Sequence, residues 1–268
     1  MKPLFSLLFS LMLISACRSP QDTVNPNDSS SNLPNPGQAN VVKSSPVVQI
    51  TEYTISENGE KTVMLNGKEL RVSWRLRRNY DYDAQKRLTL QKTTVWNNSS
   101  WWESLSYQYT PDLAERYQNW ENKDFVNVLF LNEKGYIKGN LEPNEYIYNN
   151  EGFLTTYQGN NQRDTYIVKD GNVVAKETVY NSGGVQSNTY EYNLDKPNIL
   201  SPLTFRGKPS QNLLSRQTLV STNIGSSTKQ TTVFTHYYNF DQQGRPAWEI
   251  VVADSESTPR SIREFIYQ

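Results

Sequence analysis

Asn66-Gly67-Lys68-Glu69-Leu70-Arg71-Val72-Ser73-Trp74-Arg75-Leu76-Arg77 is the stretch on which the fold turns. In a strand, successive side chains point to opposite faces. Leu70, Val72, Trp74 and Leu76 therefore share one face, and Arg71, Ser73, Arg75 and Arg77 the other. Asn66-Gly67 tolerates the positive φ angles of a two-residue hairpin turn, and Asn58-Gly59 repeats the signal upstream. Residues 47–77 thus read as three antiparallel strands joined by tight turns.

The same grammar runs downstream. Strands are expected over 87–96, 104–110, 124–131, 136–141, 144–149, 153–158, 164–169, 172–180, 185–192, 216–222, 229–240, 246–253 and 261–267. Turn residues fall between many of them: Glu133-Lys134-Gly135, Asn150-Glu151-Gly152, Asp170-Gly171, Ser182-Gly183-Gly184 and Gln243-Gly244. Thr110-Pro111 could instead open a helix, because Leu113, Tyr117 and Trp120 fall on one helical face. The expectation is an all-β fold: an antiparallel meander of about 13–16 strands rolled into a half-barrel or open barrel, with at most one short helix.

An imperfect repeat marks the hairpins: two aromatics one residue apart, a polar turn, Gly, then an extended run. Tyr238-Asn239-Phe240-Asp241-Gln242-Gln243-Gly244-Arg245-Pro246 is the fullest copy. Tyr146 to Leu154 is another, and Tyr80-Asp81-Tyr82-Asp83 opens a third with Lys86-Arg87 where Gly could stand. Phe130 to Ile137 and Tyr166 to Val173 are degraded copies. Tyrosines alternating on a half-exposed pleat bury ring area and leave their hydroxyls wet, so a mean hydropathy of −0.71 is compatible with a stable sheet.

These hairpins resemble the YD repeats of the Rhs family. They are more similar to a lipoprotein family of the Bacteroidetes, a domain of unknown function with a porin-like fold. Tyr190-Glu191-Tyr192-Asn193-Leu194-Asp195-Lys196-Pro197-Asn198 resembles that family's Tyr-x-Tyr segment and its Lys-x-Asn-Pro-type loop. Pro209-Ser210-Gln211-Asn212-Leu213 resembles its Ser-x-Asn element, although Ile199 stands in place of the usual Pro and Leu213 in place of a second Asn. The resemblance implies a rolled antiparallel sheet and brings no activity, ligand or catalytic residue with it. A membrane barrel needs an outward apolar band in every strand, and the three Arg on one face of 69–77 argue against a pore.

The N-terminus reads as an address. Met1-Lys2-Pro3 carries one positive side chain, and Leu4–Ala16 is an uncharged run of 13 residues. As a helix that run would rise about 20 Å, short of the hydrocarbon core, so it reads as a signal peptide over 1–16. It ends Ile14-Ser15-Ala16-Cys17, which resembles the lipobox of bacterial lipoproteins and makes Cys17, the single cysteine, the expected lipidation site. Arg18–Pro46 holds five Pro, six Ser and five Asn, the composition of a tether. The chain thus divides into a signal peptide (1–16), a lipidated Cys with its tether (17–46) and one β domain (47–268). Related surface-exposed lipoproteins often carry an acidic run after the cysteine. Arg18-Ser19-Pro20-Gln21 points instead to a periplasm-facing anchor in the outer membrane of a Gram-negative bacterium.

Chemistry is sparse. Twenty-seven Lys+Arg balance 27 Asp+Glu, which gives no electrostatic grip on nucleic acid. One His and one Cys leave little for metal or nucleophilic catalysis, and no phosphate loop, nucleophile elbow or dinucleotide fingerprint is present. His236 falls inside an expected strand and reads as structural. Glu103, Asp112 and Glu115 are the carboxylates nearest Trp-rich sequence, and most such acids are solvated surface. The expectation is a non-catalytic protein without cofactor or metal.

Two groups could bind. Trp96, Trp101 and Trp102 bracket Asn97-Asn98-Ser99-Ser100, an aromatic and amide cluster that suits sugars or closes one end of the sheet. Arg71, Arg75, Arg77 and Arg78 could form a basic stripe for lipid phosphates or acidic glycans, or a solvated face. Residues 193–216 break the hairpin rhythm with three Pro. Leu200, Leu203, Phe205, Leu213 and Leu214 make this segment a plug across the rolled sheet, the alternative being a binding loop. The functional expectation is a lipid-anchored envelope protein holding a glycan or an apolar ligand. An adaptor that pairs with an outer-membrane partner is the second reading, and an envelope hydrolase the third.

Overall fold

A computed structural model describes residues 45–96, 102–120, 123–222 and 228–268. Its strands are β1 (Val47–Ile55), β2 (Lys61–Leu65), β3 (Lys68–Tyr82), β4 (Leu88–Val95), β5 (Trp102–Tyr109), β6 (Leu113–Trp120), β7 (Lys123–Leu131), β8 (Ile137–Asn140) and β9 (Glu145–Tyr148). They continue as β10 (Leu154–Gln158), β11 (Gln162–Lys169), β12 (Asn172–Tyr180), β13 (Val185–Pro197), β14 (Asn212–Thr222), β15 (Lys229–Phe240), β16 (Pro246–Ala253) and β17 (Pro259–Tyr267). From β3 to β8 and from β9 to β17 each strand pairs antiparallel with the next. β17 then pairs with β1, and β1 with β3. The sheet is nearly closed into a barrel, with one seam between β8 and β9. The segment from Thr110, whose spacing also allowed a helix, is strand β6, in register with β5 and β7. Leu113, Tyr117 and Trp120 satisfy a helical stripe, but the ladder bonds on both edges decide the conformation.

The opening hairpins differ from the sequence expectation. Asn66-Gly67 is a positive-φ turn (50° and 78°) between β2 and β3, as expected. Asn58-Gly59 is not a hairpin turn, because β1 and β2 both pair antiparallel with β3 and so run in the same direction instead of pairing with each other. The excursion between them presses Gly59 onto the Arg71–Val72 backbone, where a Cβ would meet Val72 N at 2.3 Å. Glycine is needed here for close approach rather than for its φ.

A bulge also interrupts β3. Glu52 pairs with Leu76 but Tyr53 pairs with Trp74, leaving Arg75 unpaired and breaking the strict alternation of 69–77. Beyond the bulge, Val63, Leu70 and Val72 pack on Tyr53, Ile250 and Ile262. Ile250, Ile262 and Tyr53 are cross-strand partners that alternate with inward Glu249 and Arg263, so they lie on the outer face of the barrel. The β2–β3 hairpin is therefore an outer layer folded over β16 and β17, fastened by Lys61 on Glu264 (2.7 Å) and by Asn239 Nδ2 donating to Met64 O (3.1 Å).

Turns at the end where β1 begins and β17 finishes, here the basal end, share one design. Asp83 and Asp241 each accept two backbone N–H bonds through Oδ1 and an Arg Nε through Oδ2, from Arg87 (2.7 Å) and Arg245 (2.8 Å). Each guanidinium lies over a tyrosine ring two strands on, Tyr109 at 4.6 Å and Tyr267 at 4.4 Å. Those tyrosines donate in turn to the carbonyls of Leu88 and Pro246. Tyr82, Tyr192 and Tyr238 likewise donate to backbone carbonyls of Val47, Val173 and Leu214. Here the expectation of wet hydroxyls is corrected: these phenols tie strand ends together, and burial raises them well above the ordinary phenol range.

The segment 193–216 is shorter than expected as a loop, since β13 runs on to Pro197 and β14 starts at Asn212. Residues 198–211 cross the basal end of the barrel and carry one 3-10 turn, Thr204–Arg206. Asn198 Nδ2 donates to Ser210 O (2.8 Å), and Ser210 Oγ accepts from Val173 N (3.0 Å). Lys208 N donates to Gly152 O (2.9 Å), across the barrel on the β9–β10 turn. Phe205 is buried among Leu88, Tyr107, Leu131 and Ile137, and Leu203 packs beside it. The segment is a plug.

Candidate functional site

Cross-strand partners share a face, so the ladders identify the lumen. Tyr80, Gln91, Leu105 and Gln118 form one inward row, and Tyr107, Arg116 and Asn127 another. On the opposite wall the inward rows are Asp164, Thr178 and Gln186, then Tyr190 and Gln217, then Tyr238, Glu249 and Arg263. The lumen is polar and aromatic. The outer face is no hydrocarbon band, since Asp81, Lys92, Arg163, Lys169, Glu177 and Glu191 all lie exposed on it.

The plug divides the lumen into two chambers, with Ser201 and Pro202 facing both. The β11–β17 chamber, about 500 Å³, is walled by Tyr166, Tyr190, Tyr192 and Tyr238 with Glu249 and Arg263. Its charges are matched. Glu249, 5% exposed, takes Arg263 Nη2, His236 Nδ1 (2.9 Å) and Tyr238 OH (3.2 Å). Burial pushes its carboxyl up, but His236 and Arg263 outweigh that and hold it below the ordinary range. Beyond it, Asp164 is equally buried and meets Lys176 (2.9 Å) and Thr178 (2.8 Å).

The β3–β9 chamber, about 490 Å³, is different. Arg78, Arg116 and Arg206 line it together with Gln91, Asn127 and Asn140, between the rings of Tyr80, Tyr107, Tyr146 and Phe205. No carboxylate lines it. Of the three guanidiniums only Arg78 is in an ion pair among the described residues, with Glu52 at 2.7 Å, and Glu52 is shared with Arg75 at the same distance. Burial would raise the Glu52 carboxyl, and the two arginines bring it below the usual value. Arg116 Nε and Asn127 Oδ1, on directly paired residues, are buried without a hydrogen-bond partner. A larger depression of about 820 Å³ at the basal turns is a groove lined by turn residues such as Asn132 and Asn149, with acids and lysines in equal number, Asp112 and Glu133 beside Lys134 and Lys138.

The residues singled out in the sequence are spread over the molecule. Trp96 packs edge-on against Trp74 (5.0 Å) in the outer layer, 45% exposed. Trp101 and the Trp102 side chain lie outside the described residues. Arg71 donates to Glu57 O (3.3 Å), Arg77 lies over the Trp74 ring at 4.9 Å, and Arg75 and Arg78 converge on Glu52. No single stripe results, because the bulge at Arg75 redirects the chain. Glu103 accepts from Gln118 in the lumen (2.7 Å), whereas Glu115 faces outward and takes the Tyr117 hydroxyl (2.5 Å). Asp112 accepts the Thr110 hydroxyl in the β5–β6 turn (3.0 Å). Among the described residues no cluster of three or more His, Cys, Asp or Glu could hold a metal. Sequence reasoning missed Arg116, in a segment whose spacing also allowed a helix, and Arg206, which lies in the loop already marked as exceptional.

No family model and no curated protein matches the chain. Among solved structures it is similar to a porin-like protein from Bacteroides uniformis, with a TM-score of 0.50 and 14% identity over 84% of this chain and 98% of that one. A porin-like protein from Bacteroides vulgatus covers the same share of this chain and 99% of its own at 10% identity, with a TM-score of 0.33. At 14% identity the first likeness establishes the fold alone.

Proposed function

We propose that the protein is a non-catalytic, lipid-anchored β-barrel of the bacterial cell envelope whose plugged lumen binds a small polar ligand, a glycan. One observation carries this: the plug leaves two chambers of ligand size, lined by tyrosines, amides and guanidiniums, inside a barrel whose outer face is charged. Aromatic faces with amide neighbours suit sugar rings and hydroxyls. The apolar run ending at Cys17 supports an outer-membrane lipid anchor, and the absence of an acidic run after it supports a periplasm-facing domain. The porin-like neighbour is consistent with an envelope setting. Glu103 and Glu115 face opposite sides of the sheet, which weighs against a glycosidase-type carboxylate pair between them. Binding of the purified full chain to glycan and lipid arrays tests the reading. Retention of saccharides that is lost when the lumen is altered supports it; lipid headgroups alone as ligands would refute it.

The adaptor reading has its own observation. Val126, Phe130 and Ile147 are exposed on the outer face beside the β8–β9 seam, where unpaired strand edges could accept a partner strand. Co-purification of a stoichiometric envelope protein, abolished by Val126→Lys, would favour it.

A further inference from the structure

Resting on the lumen-binding reading, we infer that the β3–β9 chamber takes an acidic saccharide, its carboxylate or sulfate held by Arg116 and Arg206 and its hydroxyls by the neighbouring amides. The two chambers differ in charge and not in size. In the β11–β17 chamber Arg263 is neutralised by Glu249, and beyond it Lys176 is neutralised by Asp164. In the β3–β9 chamber three guanidiniums line one cavity with no carboxylate in its wall; of the three, Glu52 reaches only Arg78, and Glu103 is bonded to Gln118. Guanidiniums without carboxylate partners along one cavity wall give it a positive potential, so the arrangement favours an incoming anion.

The unmatched atoms say more than the charge. Arg116 Nε is a donor and Asn127 Oδ1 an acceptor, both buried and unpartnered on directly paired residues of β6 and β7. Leaving such groups unmet is costly, and a bare anion could answer only the donor. A ligand with an anionic oxygen and a hydroxyl a few bonds apart answers both, as a uronic or sulfated sugar does. Tyr80, Tyr107 and Tyr146 add aromatic surface to the same wall. Arg206 comes from the plug itself, close enough to act electrostatically on the hydroxyls of Tyr107, Tyr146 and Tyr148. The plug thus contributes a ligand-contacting side chain as well as a stopper.

Calorimetry on the detergent-solubilised full chain tests this with digalacturonate, a chondroitin sulfate disaccharide, neutral cellobiose, acetate and inorganic sulfate. The acidic disaccharides are expected to bind at least about tenfold more tightly than cellobiose and than either free ion, and the tighter of the two names the anion. Arg116→Gln and Arg206→Gln should each weaken that binding about tenfold or more, the loss of one charge-assisted contact. Arg216→Gln, which removes an outer-surface charge paired with Asp254, should leave it unchanged. If Arg116→Gln fails to fold, Arg206→Gln decides, since its side chain is exposed on a loop. Equal binding of cellobiose, or Arg variants without effect, overturns the inference while the lumen-binding reading stands. Free sulfate binding as tightly as the disaccharides reduces the chamber to a simple anion site and also overturns it. No saccharide of any kind bound removes both readings.

Discussion

Phe205→Ala tests the plug. The ring is 5% exposed and lies 5.4 Å from the Tyr107 ring, among Leu88, Leu131 and Ile137. A phenyl side chain buries about 150–250 Å², worth about 4–6 kcal/mol at roughly 25 cal/mol/Å². Measured Phe→Ala costs run at about 3–5 kcal/mol. The chamber beside the ring admits water, which places this site near the lower figure, about 3 kcal/mol. For a domain of this size each kcal/mol moves the midpoint by about 2–4 °C, so thermal unfolding should begin about 6–12 °C earlier. Leu200→Ala is the control: it lies in the same loop, 39% exposed, and should cost about 1 kcal/mol or less. Urea midpoints of the full chain and both variants give the comparison. Should Phe205→Ala cost no more than Leu200→Ala, the loop is not part of the core. Shortening the loop would be a poorer test if the cut reached Ser210–Asn212, because those residues bond to β12 and β13 in their own right.

Three further outcomes follow from the same geometry. Glu249→Gln removes a buried carboxylate charge from Arg263, whose side chain is 38% exposed and can turn to water, and should cost about 1–3 kcal/mol at pH 7. Because the Glu249 carboxyl is held below its ordinary 4.5, the stability it contributes is present above that pH and lost as pH falls through the lower folded value. Urea midpoints should therefore fall more steeply below about pH 4.5 in the wild type than in the variant, and parallel curves would contradict the ion pair. Gly59→Ala places a methyl against the Val72 backbone and should cost about 1–3 kcal/mol, seen as a lowered urea midpoint; an unchanged midpoint would contradict the close approach. Cys17→Ala should move the protein from the detergent phase to the aqueous phase in partitioning, and equal partitioning would rule out the lipid anchor.

Much of the strand order was legible because period-two alternation and turn residues are local signals. The expected limits of β12, β15 and β16 coincide with those observed. Two local signals misled where non-local pairing won. Leu113, Tyr117 and Trp120 satisfy a helical spacing, yet Ala114 to Asn119 are laddered on both edges. Asn58-Gly59 has hairpin chemistry, but β1 and β2 each pair with β3 rather than with each other, and only the register of three strands decides between that and a hairpin. The bulge at Arg75 is a third case. Glu52 draws both Arg75 and Arg78 to its carboxylate, and an extra residue between the two pairings lets it hold both. Nothing in 69–77 announces that partner, which lies about twenty residues upstream in another strand.

The candidate site was less legible for a related reason. A chamber wall is written one or two residues per strand, so Arg78, Gln91, Arg116 and Asn127 are far apart in sequence and each looks like an ordinary polar strand residue. What could be seen was the exception to the rhythm. A proline-bearing segment rich in Leu and Phe, set between regular hairpins, has to be buried, and in a rolled sheet the space that can bury it is the inside of the roll. Burying it there displaces water from the middle of the lumen and leaves polar walls on either side that the loop cannot satisfy. On the β11–β17 side the strands carry matched pairs, Glu249 with Arg263 and Asp164 with Lys176. On the β3–β9 side they carry arginines and amides without acids, and the plug adds Arg206 to them. On the proposed reading, that one residue joins the stability role of the plug to ligand binding.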